Sequence, residues 1–358
     1  MAKSCYVHVP FCDSICSYCD FTRLIMNDDL CAKWKEQLTQ EINGYKIQSL
    51  DTLYFGGGTP SLLDIHTFEQ IRECFPNDIS EFTIECNPES VTLEKINGYK
   101  KNGVNRISLG VQSFQDHLLK VCHRKHTSSQ ALEVISLIQS CIDNLSIDLI
   151  YGLPDQTMED LKNDIDIFLS LNIPHLSIYS LQIEPNSVFG KKGVQACDED
   201  LEADMFEYIV STLKQNGYEH YEVSSFCRDK KYSKHNLAYW MNEDFYGIGC
   251  GASGRLKNIR YDNTRKLNEY ISNGACVEWI EEDEKERSFD AIMMALRTKL
   301  GVDIHSWNEM YHSDFLTKYK TVLETYKDFF SYNQNRVYLN DSGFEILNTI
   351  LVDFMMIE

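Results

Sequence analysis

Tyr6-Val7-His8-Val9-Pro10-Phe11-Cys12-Asp13-Ser14-Ile15-Cys16-Ser17-Tyr18-Cys19 is a strand-like run that opens into a loop carrying cysteines at C-x3-C-x2-C spacing. Three thiolates on one short loop can hold three irons of a cubane cluster, leaving the fourth iron free to bind a small molecule. A structural zinc site wants four ligands, usually in two pairs. Only Cys5 or His8 stands nearby as a fourth. The remaining alternative is three ordinary buried thiols.

Working outward, strand-like and helix-like segments alternate through the first half. Cys5–Val9, Thr52–Phe55, Phe82–Cys86, Arg106–Leu109, Ser146–Ile150 and Leu176–Leu181 are short and rich in β-branched or aromatic residues, which predicts strands. Helical spacing predicts helices at Leu30–Ile42, Ile65–Cys74, Leu93–Lys101, Ser128–Ser140, Met158–Ser170 and Glu199–Gln215. Six βα units in series predict a parallel sheet with right-handed crossovers, an α/β partial (βα)6 barrel over residues 1–226. Ligands of such a sheet sit at the C-terminal ends of the strands, where the cysteine loop falls.

Beyond Gly217 the pattern changes. Tyr218–Phe226 reads as a further strand, and residues 227–280 as a polar, aromatic-rich connecting region. Glu281-Glu282-Asp283-Glu284-Lys285-Glu286 reads as a solvated linker. Residues 285–358 predict a mainly helical, winged-helix-like domain, with a hairpin around Tyr332–Leu339, a cap or turn at Asp341-Ser342-Gly343 and an apolar terminal helix.

The chain has 358 residues and a net charge of −20, which argues against a large nucleic-acid footprint, since that needs clustered cations. Its 13 cysteines follow no secretory leader, so reduced thiols and a cytoplasmic setting are expected. No apolar run reaches membrane-spanning length. Cys5, Cys31, Cys74, Cys86, Cys122, Cys141, Cys197, Cys227, Cys250 and Cys276 show no ligand spacing and are expected to be structural.

Gly56-Gly57-Gly58-Thr59-Pro60 follows the second predicted strand. Glycines there allow close backbone approach to a ligand, and no Gly-Lys-Ser/Thr follows to make a P-loop. Glu85, Gln112 (in Gly110-Val111-Gln112-Ser113-Phe114), Arg124 and Asp148 lie at or just beyond strand ends, where alternation can turn them toward one cavity. Gly249-Cys250-Gly251-Ala252-Ser253-Gly254 fits G-x-G-x-x-G, but no βαβ unit surrounds it, so it reads as a tight turn.

These runs resemble the coproporphyrinogen-oxidase-like branch of the radical S-adenosylmethionine (SAM) superfamily, over nearly the whole chain. The resemblance implies a [4Fe–4S] cluster on Cys12, Cys16 and Cys19. It implies SAM held by Gly57, Gly58, Thr59, Glu85, Gln112, Arg124 and Asp148, with Tyr6 and Tyr18 near the cluster and the adenosyl group. Two activities compete within the branch: oxygen-independent coproporphyrinogen III oxidase, which decarboxylates propionates by radical chemistry, and heme chaperones of the HemW type. The oxidase carries a further cysteine two residues after the third cluster cysteine, where this chain has Phe21. The oxidase also has a long N-terminal extension, whereas eleven residues precede Cys12 here. Both departures resemble the chaperone.

His235-Asn236-Leu237-Ala238-Tyr239-Trp240 matches the H-N-x-x-Y-W pattern of the chaperone branch. By that match His235, Asn236, Tyr239 and Trp240 are expected to bind heme, since imidazole can ligate its iron and aromatic rings can cover its face. Heme and an acceptor hemoprotein, including one at a membrane surface, are then the expected partners, and no residue is given a catalytic role. Family members commonly carry His where this chain has Ser253.

Overall fold

A computed structural model describes residues 2–275 and 277–357. The expected structural thiol Cys276 lies outside the described residues. Six parallel strands form the centre of one sheet, in chain order: Ser4–Val9, Thr52–Gly57, Glu81–Cys86, Arg106–Gln112, Leu145–Tyr151 and His175–Ser180. They read as nearly continuous apolar runs because both faces are covered. Inside, Phe55 meets Phe68 and Phe82 at 5.4 and 5.3 Å between ring centroids. The predicted helices are all present. Local chemistry sets their starts: the Thr157 side chain accepts from Asp160 N–H, and the Asp160 carboxylate accepts from Thr157 N–H.

The sheet is wider than the sequence pattern indicates. Tyr218–Phe226 is two strands rather than one: Glu219–Glu222 and Ser225–Cys227 form an antiparallel hairpin beside His175–Ser180. At the other side, Phe245–Ile248 pairs parallel with the first strand. The meander Ser253–Leu256, Ile259–Asp262, Glu278–Glu281 continues from it, for twelve strands in all among the described residues. The region expected to connect the two halves thus extends the sheet. Its glycine turn is tight because Gly249 and Gly251 have φ of 103° and 83°. A Cβ at Gly249 would come within 2.7 Å of the His8 carbonyl.

The acidic run is solvated at five of its six residues, but it belongs to a strand end and a helix start rather than to a linker. Glu281 ends the last strand of the meander, and Asp283 caps helix Glu284–Ala295. Between them Glu282 is 4 % exposed and pairs with Arg255, itself 8 % exposed, at 3.1 Å. A period-based reading misses this because the partner lies in another strand. A second core, around Trp307, Phe315, Tyr319 and Phe354, fills the C-terminal unit. Its small sheet has Val302–Asp303, Arg336–Leu339 and Phe330–Asn333 in that order. Among the described residues no helix is long and apolar enough to cross a membrane.

Removing Arg255 leaves the buried Glu282 with the half-exposed Arg260, at 3.4 Å, as its remaining ion-pair partner. Arg255→Ala is expected to lower stability by about 3 kcal/mol, read as a reduced denaturant midpoint with unchanged slope. A midpoint equal to the parent's would show that the pair is not a joint of the fold.

Candidate functional site

The C-terminal strand ends and the cysteine loop enclose a cavity of about 660 Å³. It is lined by Cys12, Cys16 and Cys19 together with Tyr18, Gly57, Gly58, Thr59, Glu85, Gln112, Arg124, Asp148 and Asn236. Twelve of the sixteen residues singled out from sequence therefore share one space; Tyr6, His235, Tyr239 and Trp240 do not line it.

The cysteine loop is held against the glycine loop by backbone. Gly58 N–H donates to the Val9 carbonyl at 2.8 Å and Thr59 N–H to the Phe11 carbonyl at 2.7 Å. A Cβ on Gly58 would lie 2.6 Å from the Phe11 carbonyl oxygen, and one on Gly57 (φ 113°) 2.6 Å from the His8 ring. The space these glycines leave is thus filled by the cysteine segment and His8, so they join two loops as well as offering backbone to a ligand.

The three thiols have distinct neighbours. Thr59 Oγ1 donates to Cys12 Sγ at 3.6 Å, Arg124 donates to Cys16 Sγ at 3.4 Å, and Arg23 donates to the Cys19 carbonyl. Burial pushes the Cys19 thiol up to about 11 and raises Cys12, while Arg23 pulls both the other way. Iron binding needs thiolates. Three thiols on one loop beside two guanidinium groups therefore fit an iron–sulfur cluster. Burial alone would lower the Arg124 pKa, but Tyr18, Cys16 and Glu89 together raise it, so it stays a cation.

Asn87, which the sequence pattern did not single out, ties these parts together. Its amide donates to Thr59 Oγ1 at 3.1 Å, and its carbonyl accepts from Arg124 at 2.9 Å. The available signal was an Asn at a strand end before Pro88. Arg106 was also missed: it lines the cavity, is 1 % exposed, and has Nε without a partner among the described residues. A bulge shifts the register between Gly110 and Gln112 and leaves Gln112 with φ 70° beside the cavity.

Burial raises the Glu85 carboxyl to about 7, against hydrogen bonds from Tyr54 OH at 2.8 Å and Gly57 N–H at 3.1 Å. Burial also raises Asp148, opposed by Ser108 Oγ, which donates at 3.0 Å, and by the Arg106 charge. Two carboxylates near one buried cation are a polar floor for a ligand with hydroxyl or amine donors.

Tyr6 stands behind the glycine loop, with OH 3.0 Å from His8 Nδ1. His235 lies outside the cavity lining, enclosed by its neighbours. Its ring is 1 % exposed, with Nδ1 2.8 Å from Thr52 Oγ1 and Nε2 2.6 Å from Tyr239 OH. The ring stacks on Tyr54 at 5.0 Å, and burial lowers its pKa to about 3. Both nitrogens are engaged, so iron ligation through either would cost a buried hydrogen bond. Tyr239 packs on Phe245, and Trp240 Nε1 is buried without a partner among the described residues. Helix Lys234–Trp240 is therefore a brace across the strand starts, and only its Asn236 reaches the cavity.

The Radical SAM superfamily model matches residues 6–168. Across 99 % of this chain and 97 % of the relative, the chain is 38 % identical to "Heme chaperone HemW" of Lactococcus lactis. It is 36 % identical to the Escherichia coli protein of that name, over 71 % of this chain and 70 % of that one. The chain belongs to the HemW family. A mouse mitochondrial relative, "Radical S-adenosyl methionine domain-containing protein 1", is 31 % identical over 85 % of this chain and 75 % of that one. The solved coproporphyrinogen III oxidase of Escherichia coli has the same fold, with TM-score 0.85 at 19 % identity, over 98 % of this chain and 89 % of that one.

The raised Glu85 pKa has a signed consequence. Its contribution to stability is fully present below the ordinary value of 4.5 and is lost as pH rises through about 7. Glu85→Gln should therefore gain stability relative to the parent at pH 8 and show a smaller gain at pH 5. A pH-independent difference in thermal midpoint between the two proteins would contradict this placement of the carboxyl.

Proposed function

We propose that this chain is a heme chaperone that carries a [4Fe–4S] cluster and SAM, binds heme and passes it to an acceptor hemoprotein. The observation that carries this reading is similarity to HemW chaperones, at up to 38 % identity, over nearly the full length. It runs through a cavity where three thiols, a glycine loop and a polar floor meet. In this reading Cys12, Cys16 and Cys19 hold the cluster. Gly57, Gly58, Thr59, Glu85, Gln112, Arg124 and Asp148 hold SAM, and Tyr18 packs beside it. When bound, such a cluster supplies an open iron able to chelate a small molecule. The chain itself orients and shields that ligand: Asn87 keeps Arg124 and Thr59 in place, and the glycine loop presents backbone groups. His235, Tyr239 and Trp240 enter as the brace that seats Asn236 at the cavity wall. The proposal includes a cytoplasmic setting and an acceptor at a membrane surface, approached peripherally.

Anaerobic reconstitution should give about four irons per chain, and Ala at Cys12, Cys16 or Cys19 should abolish the cluster spectrum. About two irons, or zinc, in the parent would overturn the cluster assignment. Incubated with SAM and coproporphyrinogen III, the reconstituted protein should form no protoporphyrinogen IX beyond a single turnover, while hemin addition should give a Soret spectrum. Multiple turnover would promote the oxidase reading, to which the exposed Phe21, standing in place of a cysteine, is the opposing observation.

A further inference from the structure

Arg106 is a buried cation that the fold leaves without an anion. It is 1 % exposed and lines the cavity of about 660 Å³. Among the described residues it forms no ion pair, and its Nε has no hydrogen-bond partner. Thr83 stands opposite it in the neighbouring strand, fully buried, and its Oγ1 has no partner among them either. A guanidinium is always charged and carries five donors, so enclosing it without an acceptor is costly.

The nearby acids are committed elsewhere. Glu85 accepts from Tyr54 and Gly57, and Asp148 accepts from Ser108. Burial raises Glu85 to about 7, so near neutrality it is only partly ionised. On the other side, the imidazoles of His175 and His235 are kept neutral, by burial first and then by the Arg106 charge. Arg106 is also remote from the cation at the thiols. Arg124 donates to the Gly110 carbonyl and to Cys16. Gly110 is four residues along the strand from Arg106, which at roughly 3.3 Å per residue sets the two anchor points about 13 Å apart. A ligand carboxylate at the thiol end has Arg124 beside it, and Arg106 is left for a second one.

What shares this end of the barrel is helix Lys234–Trp240. Glu81, the first residue of its strand, accepts from Lys234 and His235 N–H, and Thr52, the first of its own, meets the His235 ring. Asn236 lines the same cavity as Arg106. Resting on the chaperone reading, we propose that Arg106 is a propionate anchor: a heme held at helix Lys234–Trp240 extends one carboxylate past Asn236 to the buried guanidinium. The planar fork matches a carboxylate with two parallel hydrogen bonds. The pairing supplies the anion that the barrel lacks, and it selects a porphyrin bearing free acid over its ester.

Hemin titration of the full, cluster-loaded chain, followed at the Soret band, tests this. Arg106→Gln should bind hemin about tenfold more weakly. Arg106→Lys, which keeps the charge without the fork, should fall between the two. Hemin dimethyl ester, which lacks the carboxylates, should bind the parent and Arg106→Gln alike. Because Arg106 has no ion pair among the described residues, Arg106→Gln should keep the parent's denaturant midpoint or raise it. Equal hemin affinity in the parent and Arg106→Gln would mean a hydrated cation only, overturning the anchor and leaving the chaperone reading in place. A lowered midpoint would make Arg106 structural and overturn the anchor too. So would a loss of SAM affinity as large as the loss of hemin affinity, which would assign the guanidinium to the carboxylate of SAM. Failure of the parent to bind hemin would overturn both the anchor and the chaperone reading.

Discussion

Two backbone hydrogen bonds, from Gly58 to Val9 and from Thr59 to Phe11, join the end of the second parallel strand to the segment entering the cysteine loop. The close approach leaves no room for a side chain at positions 57 and 58, where a Cβ would meet the His8 ring or the Phe11 carbonyl. The position of the three thiols follows from this contact. The contact also places Thr59 within reach of Cys12 and Asn87, and through Asn87 fixes Arg124 over Cys16. A loop of eight residues bearing three ligands has little core of its own. It is ordered by leaning on a strand end that the apolar sheet already holds.

The barrel was legible because its signals are local. Strands such as Leu145–Tyr151 alternate with capped amphipathic helices, and every strand end carries its polar residue within a few positions. The cavity residues could be read for the same reason. What was not legible depends on pairing across the chain. Glu282 looks like one more solvated acid until Arg255 is brought beside it, and Tyr218–Phe226 becomes a hairpin only through the turn between Glu222 and Ser225. Arg106 begins an apolar strand and so counts as a flank in any period-based reading, yet it faces the cavity from within the barrel.

His235 shows how a motif and a geometry can part. Histidine, tyrosine and tryptophan at helical spacing have the chemistry of a heme site. The same spacing sets His235 and Tyr239 one turn apart, where they bond each other. Thr52 and the stack on Tyr54 close the remaining sides, and with the nearby Arg106 charge the ring stays neutral. These contacts dock a short helix, whose seven residues supply little stability alone.

The meander ends in Glu278–Glu281, a strand with one unpaired edge and all four side chains in solvent, including Trp279 and Ile280. Such an edge invites growth of the sheet from molecule to molecule. Here an antiparallel encounter of two copies sets Glu278 of one against Glu281 of the other, and like charges directly opposed disfavour the pairing. The two glutamates thus act as gatekeepers on a sticky ribbon, and their effect is set by ionic strength: added salt screens them and leaves the tryptophan and isoleucine uncovered. Self-association through this rim is thereby tied to ionic strength, and low salt is the condition in which the two glutamates oppose it most.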